Sequence, residues 1–426
     1  MTTDQYRSAI RELSDRVVEA QRPSRILDAI KWDPSVQEGF HAAGCREQPR
    51  VDAEYYRKRR LNFDPAATWQ EFQAIERDIA RRLGQLSPAG GIMRRMCREY
   101  QSVIRLLEAR GTPDFTAISQ ELYGSASDAF HAGDPTVADL GQLLAGTLEN
   151  IDRHMPASDD EPRITGEEAV DILQERLNAA FGGSRTVTVL VSDGIVADAA
   201  AGSDYLKLRR DARFSERDLK VLEVHEGWVH LGTTVNGLSQ PVCTFLGKGP
   251  PSSTATQEGL AVTTEIVSFV SHPARLRRTT NRIRAVHMAE QGATFLDVFR
   301  FFRDEGLTDR DAYGLAVRVF RGSTPTLGPF TKDISYGKGV VLIFNFLHLI
   351  IRKGMLNRVP LLFCGKTTLE DMGTIAQLEQ DGLIAPPRFI PPPFADLGAL
   401  TAWISYSNFL NRLNLEKIEA DYANLL

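Results

Sequence analysis

The feature that most constrains this chain is a pair of histidines five residues apart in a segment that is otherwise helical. His225 and His230 bound the hexad H-E-G-W-V-H, and Glu226 follows the first of them. In a regular helix, residues five apart lie about 140° apart around the axis, so two such imidazoles could not share one ion. A π-bulge would absorb one extra residue, and such bulges concentrate at functional sites. The spacing therefore predicts a distorted helical turn over residues 225–230.

The residues around the hexad predict the helix that carries it. Ser215 and Asp218 have the spacing of a capping box, which marks a helix start. Gly232 is a typical helix-ending residue, so we expect the hexad near the C-terminal end of the helix. Gly227, inside the turn, would lower the conformational barrier to the distortion.

A second carboxylate follows in the segment Q-E-G-L-A. Thr254 and Gln257 have capping-box spacing, which predicts Glu258 in the first turn of a helix that runs through Glu265 to about Val270. Glu258 and Glu265 would share a face but stand about 10.5 Å apart along the axis, so only one can be a direct metal ligand. We choose Glu258, which is nearer the helix start.

Two imidazoles, an adjacent carboxylate and a second, distant carboxylate are the parts of a zinc hydrolase. Each part also has an ordinary explanation. Glu226 could be a salt-bridged residue on a helix face, and Glu258 an acid that interacts favourably with a helix dipole. Their occurrence together, in order and on two predicted helices, favours the metal site.

These motifs resemble the family of QEGLA-motif proteins, labelled in bacteria as flavohaemoglobin expression-modulating and related to the animal microtubule-associated tyrosine carboxypeptidases. The resemblance spans about residues 160–380. The matching residues are the hexad, Asn236, Gln240-Pro241, Gln257-Glu258-Gly259-Leu260-Ala261 and Phe330-x-Lys332-Asp333-x-x-Tyr336-x-x-Gly339.

The resemblance implies a zinc metallopeptidase with His225, His230 and Glu258 as ligands and Glu226 as the catalytic base. It also implies carboxypeptidase action, with a preference for a terminal tyrosine or similar aromatic residue in the animal members. One departure is Trp228-Val229, where family members carry a small-residue turn. We expect the exposed indole of Trp228 to reshape the pocket.

Hydrolysis at such a site requires further residues. Three protein ligands leave a fourth position for water, and Glu226 can accept its proton and pass it to the leaving amine. Tyr336 could donate its hydroxyl to the developing oxyanion. The alternative for Tyr336 is a position at the edge of the core.

A carboxypeptidase must also hold the free carboxylate of its substrate, and this requires a cation. The candidates are Lys332 and the series Arg275, Arg278 and Arg282, whose spacing places the three arginines on one helix face. A solvated basic face is the alternative for the arginines.

Composition agrees with an intracellular enzyme. The 426 residues carry a net charge of -5, which predicts no nucleic-acid partner. The four cysteines are widely separated, so we expect reduced and mostly buried thiols. The first residues lack an apolar run, which predicts a cytoplasmic protein. The longest apolar stretch, 340–351, falls short of the roughly 20 residues that a membrane span needs, and reads as a buried helix.

The first part of the chain is predicted to be helical. Three apolar periodicities mark its helices, the second of them capped by Thr68 and Glu71. The inward residues are Tyr6, Ile10, Leu13 and Val17; Phe72, Ile75, Ile79 and Leu83; and Met93, Met96, Tyr100, Val103 and Leu107. An acidic linker over 152–166 predicts a boundary near residue 160, with an N-terminal helical region at 1–160 and a zinc metallopeptidase domain at 161–426.

The second part combines strands with helices. A helix capped by Thr165 and Glu168 precedes strands at 187–191 and 205–208, and the edge of their sheet could receive an extended peptide. Helices are expected at 273–290, 294–304, 308–320, 337–352 and from a cap at Thr367 onward. The prolines around 388–390 predict a rigid surface connector.

The sequence thus predicts a mostly helical α+β protein with a gluzincin-like zinc peptidase domain and a small sheet. The predicted function is zinc-dependent removal of a C-terminal residue from a peptide or protein. Two alternatives stay open: a non-catalytic helical scaffold or regulatory protein with a structural metal or none, and a zinc hydrolase of a non-peptide amide or ester.

Overall fold

The structure, a computed structural model, describes residues 2–152, 161–182, 187–193, 195, 198–414 and 417–418. It is mostly helical with small sheets, at 66% helix and 5% strand, which agrees with the predicted α+β class.

Eight helices make up the N-terminal part of the described chain. They are α1 (Thr3–Ala20), α2 (Ile26–Ile30), α3 (Pro34–Ala42), α4 (Ala53–Lys58), α5 (Pro65–Leu83), α6 (Pro88–Glu108), α7 (Asp114–Tyr123) and α8 (Val137–Asp152). The predicted inward residues of α1, α5 and α6 are buried, apart from the partly buried Tyr6. The predicted start of α5 at Thr68 is wrong: Asp64 caps the helix through the Ala67 N–H, at 3.1 Å, and Pro65 occupies the first turn.

Two small sheets follow in the described residues. The strands are β1 (Ile164–Thr165), β2 (Thr188–Ser192), β3 (Ala199–Ala201), β4 (Tyr205–Arg209) and β5 (Arg213–Phe214). β1 pairs with β5, and the larger sheet has the order β2-β4-β3, with β2 parallel and β3 antiparallel to β4. The helix α9 (Gly166–Phe181) begins at the predicted Thr165–Glu168 capping box and packs beside β2. β3 therefore forms an edge of the sheet.

The remaining helices surround the hexad. They are α10 (Glu216–Leu222), a π-helical segment (Glu223–Leu231), α11 (Gly232–Leu238), α12 (Ser253–Val267), α13 (Pro273–Glu290), α14 (Phe295–Asp304), α15 (Asp309–Phe320), α16 (Ser335–Arg352), α17 (Met372–Gln380), α18 (Pro392–Ala395) and α19 (Leu397–Leu410). The helices predicted at 273–290, 294–304, 308–320 and 337–352 match α13 to α16 within two residues. Thr367 does not cap a helix, because a short 3₁₀ turn over Leu369–Asp371 precedes α17.

The apolar helix α16 lies against α12 in the core. Ile343, Leu347 and Ile350 on its inner face are buried, which confirms the prediction of a core helix. Among the described residues, the stretch Thr331–Arg352 is long and apolar enough to cross a bilayer, and half of its most apolar window is buried in the fold. Core helices of soluble proteins share these properties.

The proline-rich segment before α18 is held firmly, which agrees with the prediction of a rigid connector, but it lies only partly at the surface. Phe389 is buried against Phe181, with ring centroids 4.8 Å apart. Asn236 accepts hydrogen bonds from the backbone N–H groups of Arg388 and Phe389, and donates to the carbonyls of Phe363 and Phe389. A single amide thus satisfies four backbone groups of two segments.

The N-terminal helices share a hydrophobic core with the later ones. Leu13 and Phe72 belong to the same cluster of buried residues as Phe245 and Leu260. Most of the predicted linker, 153–160, lies outside the described residues, so the boundary near 160 stays a prediction. Of the four free cysteines, three are buried and Cys45 is partly buried, as expected.

Candidate metal centre

The hexad occupies a π-helical segment between α10 and α11. The wider turn brings the rings of His225 and His230 to the same side, with centroids 4.8 Å apart and planes at 83°. α10 begins at the predicted capping box of Ser215 and Asp218. The predicted distortion of this turn is confirmed.

The small size of Gly227 is required by its neighbour in α9. A Cβ atom at this position would lie 2.5 Å from Cδ2 of Leu177, so any larger residue would force the Leu177 side chain to move. The backbone of Gly227 needs no left-handed conformation, because its φ is not positive. Trp228 is partly buried rather than exposed, with its ring centroid 6.3 Å from that of Phe181. It therefore contributes to the packing of α9.

The predicted helix end at Gly232 is wrong, because α11 continues from the π-helical segment to Leu238. Two threonine hydroxyls also donate to backbone carbonyl groups of the π-helical segment. Thr233 donates to the Val229 carbonyl at 2.6 Å, and Thr234 to the His230 carbonyl at 2.7 Å. The hexad therefore lies in the middle of a continuous helical segment.

Glu258 approaches the histidines from α12. The predicted capping box of Thr254 and Gln257 is wrong: α12 begins at Ser253 without a side-chain cap, and Glu258 lies in its second turn. A close backbone contact with α16 fixes the helix. A Cβ on Gly259 would lie 2.3 Å from the backbone of Gly339, and one on Gly339 would lie 2.1 Å from the Ala255 carbonyl oxygen. The contact between these two glycines therefore sets how closely α12 approaches α16, and with it the position of Glu258.

His225, His230 and Glu258 present ligand atoms that all lie within 4.8 Å of one another. The Nε2 atom of each histidine is 3.5 Å from Oε2 of Glu258. That oxygen is buried and has no hydrogen-bond partner among the described residues. A buried carboxylate oxygen without a donor is costly, and a divalent cation among the three atoms would satisfy it. The donor set therefore fits a metal ion.

The charges of the centre favour an ionised carboxylate. Burial alone would raise the pKa of Glu258, but the Lys332 ammonium and the two imidazoles hold it well below its usual value. Burial would likewise lower the pKa of His225, but the carboxylates of Glu258, Glu265 and Glu226 raise it to about 10. The raised pKa of His225 reflects the negative charge of the carboxylates around the imidazoles, which is the charge distribution expected at a cation site.

Glu265 orients the first histidine. Its Oε1 atom lies 2.5 Å from Nδ1 of His225, and the Arg275 guanidinium donates to both of its oxygens, at 2.8 and 3.0 Å. Because the carboxylate can only accept, Nδ1–H donates to it and Nε2 faces Glu258 and His230. The structure thus places Glu258 beside the ligand nitrogens and Glu265 behind the imidazole.

Glu226 lies beside the three converging atoms and contacts the sheet. Its Oε1 atom is 4.0 Å from Nε2 of His225, and Oε2 accepts a hydrogen bond from the Ala201 N–H at 3.1 Å. Ala201 belongs to the edge strand β3. The edge of the sheet and the candidate metal centre are therefore adjacent.

The predicted substrate-binding cations occupy different surroundings. Lys332 lies 3.2 Å from Oε1 of Glu258, inside the centre. Arg282 is buried, with its guanidinium 4.3 Å above the Tyr336 ring. Arg278 is half-exposed and paired with Asp198 at 3.1 Å. The Tyr336 ring is nearly parallel to that of His225, with centroids 6.3 Å apart.

Sequence reasoning missed Lys366, which follows a short 3₁₀ turn over Pro360–Phe363, far downstream of the motifs. Its ammonium donates to the His230 carbonyl, to Thr233 and to Oε1 of Gln257, at 2.8 to 3.0 Å. Burial lowers its pKa to about 7. Lys366 thus ties the π-helical segment to the residue that precedes Glu258.

Sequence reasoning also missed Arg318 and Arg321. Arg318 forms a two-point ion pair with Asp333, at 2.7 and 2.8 Å, and so anchors the short turn that carries Lys332. Arg321 is buried, with its guanidinium 5.6 Å from the centre of the Phe330 ring. A single arginine, whether within α15 like Arg318 or just after its end like Arg321, has no local sequence signature that predicts such contacts.

Comparisons with known proteins now place the chain among peptidases. A family model described as microtubule-associated tyrosine carboxypeptidase matches residues 38–412. The chain belongs to this family, which confirms the resemblance drawn from its motifs. Membership indicates carboxypeptidase-like activity.

Solved structures add little to this assignment. A lipoprotein from Colwellia psychrerythraea is 15% identical, with a TM-score of 0.38, over 87% of this chain and 68% of that one. An M32 carboxypeptidase from Deinococcus radiodurans R1 is 15% identical, with a TM-score of 0.34, over 95% of this chain and 98% of that one. Both scores are too low to support an argument. No curated protein matches the chain.

Proposed function

We propose that the protein is a zinc-dependent carboxypeptidase with a gluzincin-like catalytic region, in which His225, His230 and Glu258 hold the metal. The observation that carries the proposal is the convergence of two imidazole nitrogens on Oε2 of Glu258, a buried oxygen that lacks a hydrogen-bond partner within the described part of the chain. Two nitrogens and one carboxylate are a ligand set that catalytic zinc uses. The carboxypeptidase assignment rests on family membership.

Glu226 is the general base in this proposal. A bound zinc ion would supply Lewis-acid activation of water and of the scissile carbonyl. Glu226 accepts the proton of the attacking water and passes it to the leaving amine. The Ala201 N–H holds one oxygen of this carboxylate, so the other oxygen faces His225 and the reaction centre.

Tyr336 and the edge strand β3 are assigned to the substrate. The Tyr336 hydroxyl serves as the neutral donor for the developing oxyanion, since its ring stands beside that of His225. An extended peptide aligned along β3 would pass Ala201, and therefore pass Glu226. The substrate is the C-terminus of a peptide or protein.

The cations beside the centre bind the free carboxylate. Of the predicted cations, Lys332, 3.2 Å from Glu258, and Arg282, 4.3 Å from the centre of the Tyr336 ring, are the candidates for this role. We do not assign Arg278 to the carboxylate-binding site, because its charge is already neutralised by Asp198 at the protein surface.

The test is hydrolysis of a peptide library that differs at the C-terminal residue, with the metal content of each preparation measured. Zinc-loaded wild type should release the terminal residue, and Glu226→Gln should lose about 10²- to 10⁴-fold in rate while keeping its zinc. Glu223→Gln is the matched control, since Glu223 lies in the same segment and pairs with Arg176. Hydrolysis undiminished in Glu226→Gln would refute the base, and zinc far below one per chain would refute the metal site. Cleavage of esters alone would refute the peptidase assignment.

A further inference from the structure

Positive charge is concentrated around the Tyr336 ring, beside the candidate metal centre. Three of the cations there have carboxylate partners: Arg275 pairs with Glu265, Arg318 with Asp333 and Lys332 with Glu258. The other two are Arg282 and Arg321, and neither forms an ion pair or hydrogen bond through its side chain among the described residues.

Both unpaired arginines are buried. Arg282 is 8% exposed and Arg321 is 7% exposed. The Nε atom of each is inaccessible and lacks a hydrogen-bond partner among the described residues. Among the described residues, the two guanidinium groups lie over the faces of aromatic rings, Arg282 at 4.3 Å from the centre of the Tyr336 ring and Arg321 at 5.6 Å from that of the Phe330 ring. An aromatic face attracts a cation but leaves its N–H groups without acceptors.

Two buried guanidinium groups without acceptors destabilise a fold that binds no anion beside them. A guanidinium stays protonated at any ordinary pH, and burial without a counter-ion is strongly unfavourable. Burial lowers the pKa of both arginines, that of Arg321 to about 10, and the like charge of Arg318 lowers them further. Arg282 lies over the Tyr336 ring and Arg321 over the Phe330 ring, so the two arginines border the two ends of the short segment that carries Lys332 and Asp333. Of the five cations named, Arg282 and Arg321 are thus the two that have no carboxylate partner among the described residues.

We propose that Arg282 and Arg321 form the binding site for the terminal carboxylate of the peptide substrate. The inference rests on the proposed function and names the residues that grip the substrate. Arg282 lies over the same Tyr336 ring that stacks beside His225, so an anion held there stands next to the centre. The planar fork of a guanidinium matches the two oxygens of a carboxylate. Lys332 is the weaker candidate, because Glu258 already takes its charge.

The test uses metal-free protein, so that hydrolysis does not enter. Calorimetry measures the affinity for a pentapeptide ending in tyrosine, and for the same peptide with a C-terminal amide. Wild type should bind the acid at least about tenfold more tightly than the amide. Arg282→Met and Arg321→Met should bind the two forms alike, and Arg321→Lys should keep part of the preference. Arg300→Met, at an exposed position of α14, is the control and should keep the full preference.

Thermal unfolding without peptide separates a binding role from a structural one. Replacing a buried, unpaired cation with an apolar residue of similar length removes a cost, so Arg321→Met should unfold at the same Tm as wild type or higher. A lower Tm in Arg321→Met would assign it to the fold and overturn the proposal.

Three binding results would also overturn it: equal affinity of wild type for acid and amide, no binding of either peptide, or loss of the preference only in Arg278→Met. The fate of the proposed function is read separately. If the acid is preferred through Arg282 and Arg321 but zinc-loaded protein hydrolyses no peptide, the carboxylate site stands and the peptidase proposal fails.

Discussion

Glu265 holds the Nδ1 atom of His225 at 2.5 Å while Arg275 grips both oxygens of Glu265. The carboxylate fixes the ring orientation and raises the basicity of the ligand nitrogen. We expect Glu265→Gln to weaken zinc affinity by about 10- to 100-fold. Competition with a chromophoric chelator measures this. Glu76→Gln, at a partly buried position of α5 that pairs with Arg98, should leave the zinc affinity unchanged. A Glu265→Gln protein that binds zinc as wild type does would contradict the role of Glu265.

Metal removal should lower stability through Glu258. A ligand that binds only the folded state stabilises it according to its concentration relative to Kd. Zinc at about 100 times Kd should add roughly 2.7 kcal/mol to the free energy of unfolding of wild type. Glu258→Gln should show almost no zinc-dependent rise in Tm. An equal rise in both proteins would place the metal elsewhere.

Lys366 and Gln257 should act as one unit. Because the ammonium contacts the Gln257 amide oxygen at 2.8 Å, removing either partner should leave the other unsatisfied. The free energies of unfolding of Lys366→Met, Gln257→Leu and the double variant should be non-additive by about 0.5 to 3 kcal/mol. Lys366→Met combined with Glu76→Gln is the additive control. Additive effects of Lys366→Met and Gln257→Leu would show that the hydrogen bond between the two side chains does not couple them energetically.

We predict that a glycine is needed at position 227 because it leaves room for the side chain of Leu177. Gly227→Ala should cost about 1–3 kcal/mol of unfolding free energy, because its methyl group would meet Leu177 at 2.5 Å. Leu177→Ala should be destabilising alone but should relieve part of that cost in the double variant. Chemical denaturation measures all three. If the double variant loses the full sum, the glycine serves the conformation of the turn instead.

The contact between α12 and α16 should tolerate no side chain at Gly339. An added Cβ would meet the Ala255 carbonyl, a backbone group that cannot rotate away. Gly339→Ala should therefore cost about 3 kcal/mol and weaken zinc binding, since α12 carries Glu258. Gly314 lies within α15, where an added Cβ would meet no atom within 4 Å among the described residues beyond the neighbouring helix backbone. Gly314→Ala should therefore raise the free energy of unfolding by up to about 1 kcal/mol. Normal stability of Gly339→Ala would refute the close contact.

The local parts of the structure were predictable from the sequence, because their causes are local. The capping boxes at Ser215 and Thr165 lie where the helices begin, and the five-residue histidine spacing demanded a wider turn. Cap patterns failed where a helix had already begun, as at Thr68 in α5 and Thr254 in α12. A pattern of four residues does not reveal an earlier proline or aspartate that starts the helix first.

The residues that tertiary packing brings to the centre could not be predicted. Lys366 reaches it from a segment without a motif, and its importance lies in partners that the sequence does not place near it. Arg278 had the right spacing but lies beside Asp198 at the surface. The site roles, the cytoplasmic location and the boundary near residue 160 stay predictions.

The wider turn at the hexad also limits how this protein can change through evolution. Deleting one residue between the two histidines would restore a regular helix and the four-residue spacing of other zinc enzymes. Everything after the deletion would then rotate by about 100°. Asn236 would turn away from the proline segment whose backbone it holds, and Thr233 would leave Gln257. The two spacings differ by a single codon, yet the downstream contacts of α11 make them incompatible within one framework.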